Sequence, residues 1–339
     1  MHDGWQNDAD WIILATMSLL KTWMRYSMSL LLGMFLLHLP AALHADSAPV
    51  RHELTLDHYW RITMPNGMRF DTSGLAMNGR GELFTVHDRN PEVWQIHLPK
   101  LGDGVDPHVA RVEMLTNSFT PLQLFGFIKE KKDRYDTEGV SFDKQGWIYS
   151  CEEANRWILR FNPDRGIVER LPIDWSPVSR YFSSDPNSSF EGLAVGNDNL
   201  LYVANERDSA RIMVVDLGTF KVIDNFKVSP KGINFGILHY SDLAWHCGFL
   251  YVLCRHQQVV LKVEPRTHQV TAEYHYKKIE NTPEHRYNKS YPTGVVEGLS
   301  VDNHYIWLIT DNNCEVRKQD SKDRRPTLFR CLKMDAVSD

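Results

Sequence analysis

The sequence predicts an all-β fold, a β-propeller of four-stranded antiparallel blades, because one motif and the strand pattern after it recur. Copies of a Glu-Gly-Leu type motif start at Ser73, Glu138, Glu191, Ser241 and Glu297. Successive starts are 65, 53, 50 and 56 residues apart, which is typical of a propeller blade with its loops. A β-sandwich would not explain a repeating unit of this size.

The other strands of each repeat are predicted from the residues that follow the motif. A tight turn leads to a second strand such as Leu-Tyr-Val-Ala at 201–204, whose aromatic and β-branched residues favour strand over helix. Third strands are expected at 93–98, 157–161, 212–216 and 259–263, and fourth strands at 109–115, 167–171, 221–228 and 270–276.

The number of blades follows from the length of the repeating part. The 294 residues after Ala45 divide into five blades of about 59 residues. Six blades are the alternative, and the sixth would have to be built from residues 50–68. With five blades, residues 52–63 can supply a strand that pairs with the last blade and closes the ring.

The N-terminus has the layout of a secretory signal peptide. An apolar stretch at 29–45 follows Lys21 and Arg25 and ends in small residues, so cleavage is expected after Ala45. A membrane anchor is the competing interpretation, but the stretch is short for a span and contains His38 and Pro40. The start codon could lie at a later methionine. The expected organisation is therefore a signal peptide at 1–45 and one propeller domain at 46–339, in the periplasm or secreted.

Charge and cysteine content limit the partners and cross-links. With 38 basic and 43 acidic residues the net charge is −5, which argues against nucleic acid as the main partner. Five cysteines are an odd number for an exported chain. Cys247 and Cys254 are expected at opposite ends of one strand, too far apart to bond. Cys314 and Cys331 are the predicted pair, and five buried thiols are the alternative.

Polar residues recur at a fixed spacing, which predicts a site at one face. A polar side chain follows each motif start by 14 residues, at the same rim of an up-and-down blade. The pairs are Ser73 with His87, Glu138 with Glu152, Glu191 with Asn205, Ser241 with Arg255, and Glu297 with Asp311. Because carboxylate and amide oxygens without histidine or cysteine suit a hard cation, we expect a Ca²⁺ site. Its predicted ligands are Glu138, Glu191, Asn205, Glu297 and Asp311; carboxylates that instead cap backbone N–H groups are the alternative.

Long insertions before each motif are expected on the same rim, where they would form a binding surface. Three of them contain Arg-Tyr pairs, which begin at Arg134, Arg180 and Arg286. Together with Tyr287, these arginines would suit a substrate that carries phosphate or carboxylate. The alternative is that they are solvated loop residues.

The motif succession, with Phe-Glu-Gly-Leu-Ala at 190–194 and Leu-Leu-Tyr-Val-Ala-Asn-Glu-Arg at 200–207, resembles the SdiA-regulated propeller family and the related esterase-like, phytase-like propeller domain. The resemblance covers residues 71–313. It implies an exported bacterial propeller that binds Ca²⁺. Two residues depart from the family pattern, Asp242 in place of glycine and Arg255 in place of an acid or amide, so the fourth blade is expected to contribute nothing to an ion site.

Two functions are compatible with this sequence. The first is a Ca²⁺-dependent hydrolase of ester or phosphoester bonds, with Glu152 or His87 as general base. The second is a non-catalytic module that binds an envelope protein or glycan and holds a structural ion. Gly-x-Ser-x-Gly, His-Glu-x-x-His and glycine-rich phosphate loops are absent from the sequence.

Overall fold

Five buried strands, one from each repeat, form a closed ring. The computed structural model describes residues 48–100, 102, 104–115, 136–185, 188–206, 209–234, 238–288 and 294–334. The first strand of each repeat contacts the first strands of the repeats before and after it, and the fifth contacts the first. These innermost strands are β3 (Thr72–Met77), β7 (Thr137–Phe142), β11 (Phe190–Val195), β15 (Tyr240–His246) and β19 (Val296–Val301).

The remaining strands extend each sheet outward in chain order, and each pairs antiparallel with its predecessor. The predicted strands are confirmed to within three residues at each end. Second strands are β4 (Leu83–His87), β8 (Ile148–Glu152), β12 (Leu200–Asn205), β16 (Phe249–Cys254) and β20 (Tyr305–Thr310). Third strands are β5 (Asn90–His97), β9 (Trp157–Asn162), β13 (Arg211–Asp216), β17 (Val259–Glu264) and β21 (Thr327–Leu332). Fourth strands are β6 (Val109–Met114), β10 (Ile167–Arg170), β14 (Lys221–Phe226) and β18 (Gln269–His275).

The N-terminal strands join the two ends of the described chain, as the sequence predicted. β2 (Thr55–Thr63) pairs antiparallel with β21 and so completes the fifth repeat. The same strand pairs parallel with β6 of the first repeat, an additional link that the sequence did not predict. β1 (Val50–Glu53) lies parallel to β18 and covers the edge of the fourth sheet. Strand edges that would otherwise be exposed are thereby paired.

Within the described ranges, helical structure is limited to short segments. They are 3₁₀ turns at Pro65–Gly67 and Ser176–Tyr181 and one α-helical turn, α1, at Lys277–Glu280. Among the described residues, no helix is long and apolar enough to cross a membrane.

The apolar core lies between neighbouring sheets. For example, Tyr202 and Ile212 of the third repeat pack in one cluster with Leu250 and Leu261 of the fourth. Burial of each such aliphatic side chain contributes about 1.5–3 kcal/mol relative to exposure. Packing between repeats therefore holds the ring together and fixes the positions of the strand ends.

The glycines of the motif allow the innermost strands to approach closely. A Cβ placed on Gly74 would lie 2.8 Å from the Cα of Gly139, and one on Gly139 would lie 3.0 Å from the Cα of Gly192. A Cβ on Gly298 would meet the backbone of Gly74 at 2.8 Å. Real Cβ atoms do not tolerate such distances, so the second motif position requires glycine in these four repeats.

Asp242 takes the glycine position in the fourth repeat and fills the axis of the ring. Its Oδ2 accepts the backbone N–H of Leu75 (3.1 Å) and of Leu299 (2.7 Å), and its Oδ1 accepts that of Leu243 (2.8 Å). Burial raises the pKa of the Asp242 carboxyl, and these three bonds act against that shift. One side chain therefore bonds strands from the first, fourth and fifth repeats.

The predicted disulfide between Cys314 and Cys331 is wrong, because both thiols are free. Cys331 is paired with Ile306 in β20, whereas Cys314 lies beyond Thr310 at the other end of that strand. The length of the strand separates them by roughly 13 Å at about 3.3 Å per residue, beyond disulfide reach.

Candidate acidic site at the channel mouth

Each innermost strand carries a register shift at the first residue of its motif. We call this end of the ring the mouth. An extra residue in one strand of an antiparallel pair forms a β-bulge, which re-aims a side chain and is common beside active sites. The shifts lie between Thr72 and Leu75, Thr137 and Gly139, Phe190 and Gly192, Tyr240 and Asp242, and Val296 and Gly298.

The turns between first and second strands differ in length among the repeats. Val195 faces Leu201 in the third repeat, which leaves five residues in the turn. His246 faces Phe249 in the fourth, which leaves two. The first two repeats also have turns of five residues, and the fifth has a turn of four. A constant offset of 14 residues therefore selects positions that are not equivalent.

Backbone hydrogen bonds identify the equivalent positions. The N–H of Glu206 donates to the carbonyl of Ser189 (2.7 Å) and that of Arg255 to the carbonyl of His239 (3.1 Å), in each case two residues before the motif. In the first three repeats this position holds Asp88, Glu153 and Glu206, one residue after the predicted His87, Glu152 and Asn205. The equivalent residues are Asp88, Glu153, Glu206, Arg255 and Asp311.

A first group of acids, which we call the acidic cluster, consists of Asp136, Glu138 and Glu153. One oxygen of each lies within 4.8 Å of the others. Ser73 of the neighbouring repeat donates its hydroxyl to Glu138 Oε2 at 2.5 Å. Burial, Glu153 and Asp136 together raise the pKa of Glu138. Because buried like charges are costly unless neutralised, this cluster is compatible with a bound cation.

A second group, which we call the mixed cluster, consists of Glu191, Glu206 and His239, again with ligand atoms within 4.8 Å. His239 Nε2 contacts Glu206 Oε1, and His239 Nδ1 lies 2.8 Å from His256 Nε2. Burial and the charge of Arg255 lower the pKa of His239 to about 4, so this imidazole is neutral at pH 7. The expectation of oxygen ligands without histidine is wrong for this group.

The two clusters are electrostatically linked. Burial raises the pKa of Glu191, and so do the charges of Glu206, Glu138 and Glu153. The first motif residues of the second and third repeats therefore lie near each other at the mouth, as their shared rim position predicted.

Arg255 of the fourth repeat provides a positive charge inside the mouth. Its guanidinium forms an ion pair with Glu297 through Nη1 and Oε1. Its Nη2 lies 2.9 Å from His239 Nε2 and 3.8 Å from Glu206 Oε1. Glu297, a predicted metal ligand, is thus already paired with an arginine.

The other two predicted ligands lie outside both clusters. The carboxylate of Asp311 accepts the backbone N–H (2.7 Å) and the side-chain amide (2.8 Å) of Asn313. Asn205 is fully buried, and neither its amide oxygen nor its nitrogen has a hydrogen-bond partner among the described residues.

The two predicted general bases lie in neighbouring repeats. Glu152 accepts the N–H of Asn155 at 2.7 Å through Oε2, while its buried Oε1 has no hydrogen-bond partner in the described part of the chain. Burial raises the pKa of Glu152 to about 7. His87 is buried, and its Nδ1 lies 3.1 Å from Asp88 Oδ1. Glu152 therefore combines a free oxygen with a pKa suited to proton transfer at neutral pH.

The predicted substrate-binding residues have different surroundings. Arg180 is exposed and donates to the Tyr181 hydroxyl at 2.8 Å, and Arg286 is exposed as well. Tyr287, in contrast, is buried, and its hydroxyl donates to the carbonyl of Arg325 at 2.8 Å. This burial corrects the prediction that Tyr287 faces a ligand. Arg134 and the signal segment at 1–45 lie outside the described residues.

A ring of antiparallel sheets around a cation-compatible mouth defines a propeller-type protein. Residues 70–314 match the phytase-like family, described as "esterase-like activity of phytase", and the chain belongs to this family. The predicted resemblance to the phytase-like domain is confirmed. A search of the curated proteins finds no match.

One solved structure supports the fold. Glutaminyl cyclase from Myxococcus xanthus is 14% identical, with a TM-score of 0.55 over 84% of this chain and 98% of that chain. The PQQ-bound aldose sugar dehydrogenase from Streptomyces coelicolor is 11% identical, with a TM-score of 0.45 over 84% of this chain and 99% of that chain. At such identity, the glutaminyl cyclase match bears on the fold alone.

Proposed function

We propose that this protein is an exported five-bladed propeller that hydrolyses phosphoester or ester bonds with a Ca²⁺ ion at its mouth. The observation that carries the proposal is the acidic cluster beside Glu152, in which three carboxylates place ligand oxygens within 4.8 Å of one another, and burial together with the other two acids raises the pKa of Glu138. Membership of the phytase-like family supports the type of reaction. The cyclic contacts of five innermost strands support the blade number.

The donor set of the acidic cluster fits a hard cation. Asp136, Glu138 and Glu153 offer carboxylate oxygens only, which is the ligand type that Ca²⁺ prefers. These three residues would hold the ion, and Ca²⁺ bound there would polarise a substrate oxygen and lower the pKa of a bound water. Glu191 lies near enough to add to the negative potential at this position.

The chain's own residues would orient the groups and move the proton. Ser73 fixes Glu138 by donating its hydroxyl to Oε2. The N–H of Asn155 holds one oxygen of Glu152, which leaves the other oxygen to accept a proton from water. At a pKa of about 7, a large fraction of Glu152 is ionised at neutral pH. His87, supported by Asp88, is the second candidate base.

An anionic substrate would need cationic groups above the acidic mouth. Arg180 and Arg286 are exposed and remain the proposed contacts for a phosphate or carboxylate group, together with Arg134. Location in the periplasm or outside the cell is part of the same proposal. Mass spectrometry of the mature protein should find an N-terminus at Asp46.

The decisive experiment measures turnover and melting together. Hydrolysis of p-nitrophenyl phosphate and p-nitrophenyl esters is followed with added Ca²⁺ or with EDTA, for the native protein and for Glu153→Gln and Glu138→Gln. Glu113→Gln, at an exposed position on β6, is the matched control. Ca²⁺ at 100 times its Kd should stabilise the native protein by about 2.7 kcal/mol, and the site variants should lose this effect.

Each outcome separates the candidate functions. Turnover that needs Ca²⁺ and is lost in both site variants supports the hydrolase. Melting that depends on Ca²⁺ without turnover on any substrate supports the alternative, a non-catalytic module that binds an envelope protein or glycan. Turnover and melting that are both indifferent to EDTA would remove the ion from either function.

A further inference from the structure

The mixed cluster at the mouth has a different ligand chemistry from the acidic cluster. It combines the carboxylates of Glu191 and Glu206 with the imidazole of His239. We propose that it is a separate site for a transition-metal ion of the Zn²⁺ type. Imidazole with carboxylate suits Zn²⁺ and its neighbours in the first transition row, whereas oxygen ligands alone suit Ca²⁺ or Mg²⁺.

The imidazole of His239 is held in the orientation that a metal ligand needs. Its Nδ1 lies 2.8 Å from Nε2 of His256, and its Nε2 is directed toward Glu206. Metal-binding histidines usually use their second ring nitrogen in such a bond, which fixes the ring and the tautomer. His256 therefore occupies the position of a supporting residue behind the ligand.

The contacts of His239 Nε2 conflict when Glu206 is ionised and no cation is bound. Arg255 can only donate, so its approach at 2.9 Å requires a lone pair on Nε2. That lone pair then faces the Glu206 carboxylate, which can only accept when ionised. With a proton on Nε2 instead, the conflict moves to the contact with Arg255. A metal ion bound by Nε2 and the carboxylate satisfies both acceptors.

The charge at the cluster matches a divalent ion. Glu191, Glu206 and Glu297 bring three negative charges, and the guanidinium of Arg255 brings one positive charge. With all three carboxyls ionised, these four side chains carry a net charge of −2. One oxygen of Glu297 is also buried with no hydrogen-bond partner among the described residues. A divalent cation would neutralise the remaining charge.

The three ligands stand on well-anchored backbone. Glu191 is the bulge residue of β11, and Glu206 directly follows β12. The carbonyl of His239 accepts the N–H of Arg255, which ties His239 to the end of β16. Metal binding at this site requires no hydrolytic activity, so the inference goes beyond the proposed function.

Direct binding measurements on the full chain test this proposal. After treatment with chelator, Zn²⁺ and Ca²⁺ are titrated separately by calorimetry, and Co²⁺ is titrated by visible absorption as a probe of a nitrogen ligand. We expect one Zn²⁺ per chain at the mixed cluster and Co²⁺ bands that disappear in His239→Gln. His256→Gln should weaken Zn²⁺ binding about 10- to 100-fold, as is usual for supporting residues. Arg255→Gln should tighten it, because a competing positive charge is removed.

A matched control and a second variant keep the outcome clear. His97, on β5 of the first repeat, also lies close to a glutamate, 3.3 Å from Glu113. It is not a member of the mixed cluster, so His97→Gln should leave Zn²⁺ binding unchanged. Zn²⁺ affinity that is unchanged in His239→Gln would overturn the proposal. If that variant does not fold, weaker or unchanged Zn²⁺ binding in Arg255→Gln would overturn it instead. If the native protein binds Zn²⁺ but shows no Ca²⁺-dependent turnover, only the proposed hydrolase function is refuted.

Discussion

Replacement of Asp242 should weaken the ring at its axis. Asp242→Ala removes the acceptor of the N–H groups of Leu75 and Leu299, which belong to other repeats and are at most 1% exposed. A buried N–H without a partner costs about 1–3 kcal/mol, or about 2–6 kcal/mol for the two. Removal of a buried carboxyl returns part of its desolvation cost, so we expect a net loss of about 2–4 kcal/mol.

Equilibrium unfolding in urea, followed by tryptophan fluorescence in the presence of EDTA, measures this loss. Asp242→Asn can keep its oxygen at the position that accepts both inter-repeat bonds, so its loss should be smaller, about 1 kcal/mol. Asp216→Ala is the control, because Asp216 accepts the N–H of Gly218 (2.7 Å) at a turn that water can reach. It should cost no more than about 1 kcal/mol.

The order of stabilities decides whether the reasoning holds. We expect the native protein to be most stable, then the asparagine variant, then the alanine variant. An alanine variant as stable as the native protein would mean that the three hydrogen bonds do not outweigh the burial of the carboxyl. An asparagine variant less stable than the alanine variant would contradict the assigned role of the shared oxygen.

Three further predictions follow from single residues. Burial acts to raise the pKa of Asp323, but hydrogen bonds from Arg325 lower it to about 2. The resulting stabilisation of the folded protein, about 2 kcal/mol, should be complete above pH 4 and lost as the pH falls to 2. Urea unfolding of Asp323→Asn should show no such loss. Gly192→Ala should lower stability by about 1–3 kcal/mol through contact with the next repeat, whereas Gly79→Ala, with no atom within 4 Å of the new Cβ, should change it by less than about 0.5 kcal/mol. The pH profile of p-nitrophenyl phosphate hydrolysis should have a limb near pH 7 that is absent in Glu152→Gln.

The strand pattern was predictable because the same local sequence pattern recurs in each repeat. Turn residues bracket short runs of aromatic and β-branched residues, and such runs form strands wherever one face can be buried. The closing role of residues 52–63 also followed, because a ring of sheets needs a partner for its last edge. The parallel pairing of β2 with β6 did not follow, because it depends on how closely the first and last repeats approach in three dimensions.

The site was predicted at the correct end of the strands but one residue out of register in the first three repeats. The turns have five residues in the first three repeats, two in the fourth and four in the fifth, so one constant offset could not fit all five. The shift in register is shown by the hydrogen bond from the Glu153 N–H to the Asp136 carbonyl, which forms only in the folded chain. One signal was available: Asp71 and Asp136 both lie two residues before a motif, and the corresponding residue of the fourth repeat is His239.

Ring closure and the acidic mouth both depend on the first two residues of the motif, which are Glu-Gly in the second and third repeats. Glycine at the second motif position brings neighbouring strands into backbone contact, as at Gly139 and Gly192. The bulge at the residue before it releases that side chain from the strand pairing, so Glu138 and Glu191 meet other acids at the mouth. Since Arg255 contacts His239 and Glu206 of the mixed cluster and also pairs with Glu297, one guanidinium makes the mixed cluster chemically different from the acidic cluster, and this asymmetry favours two distinct cation sites over one symmetric ring.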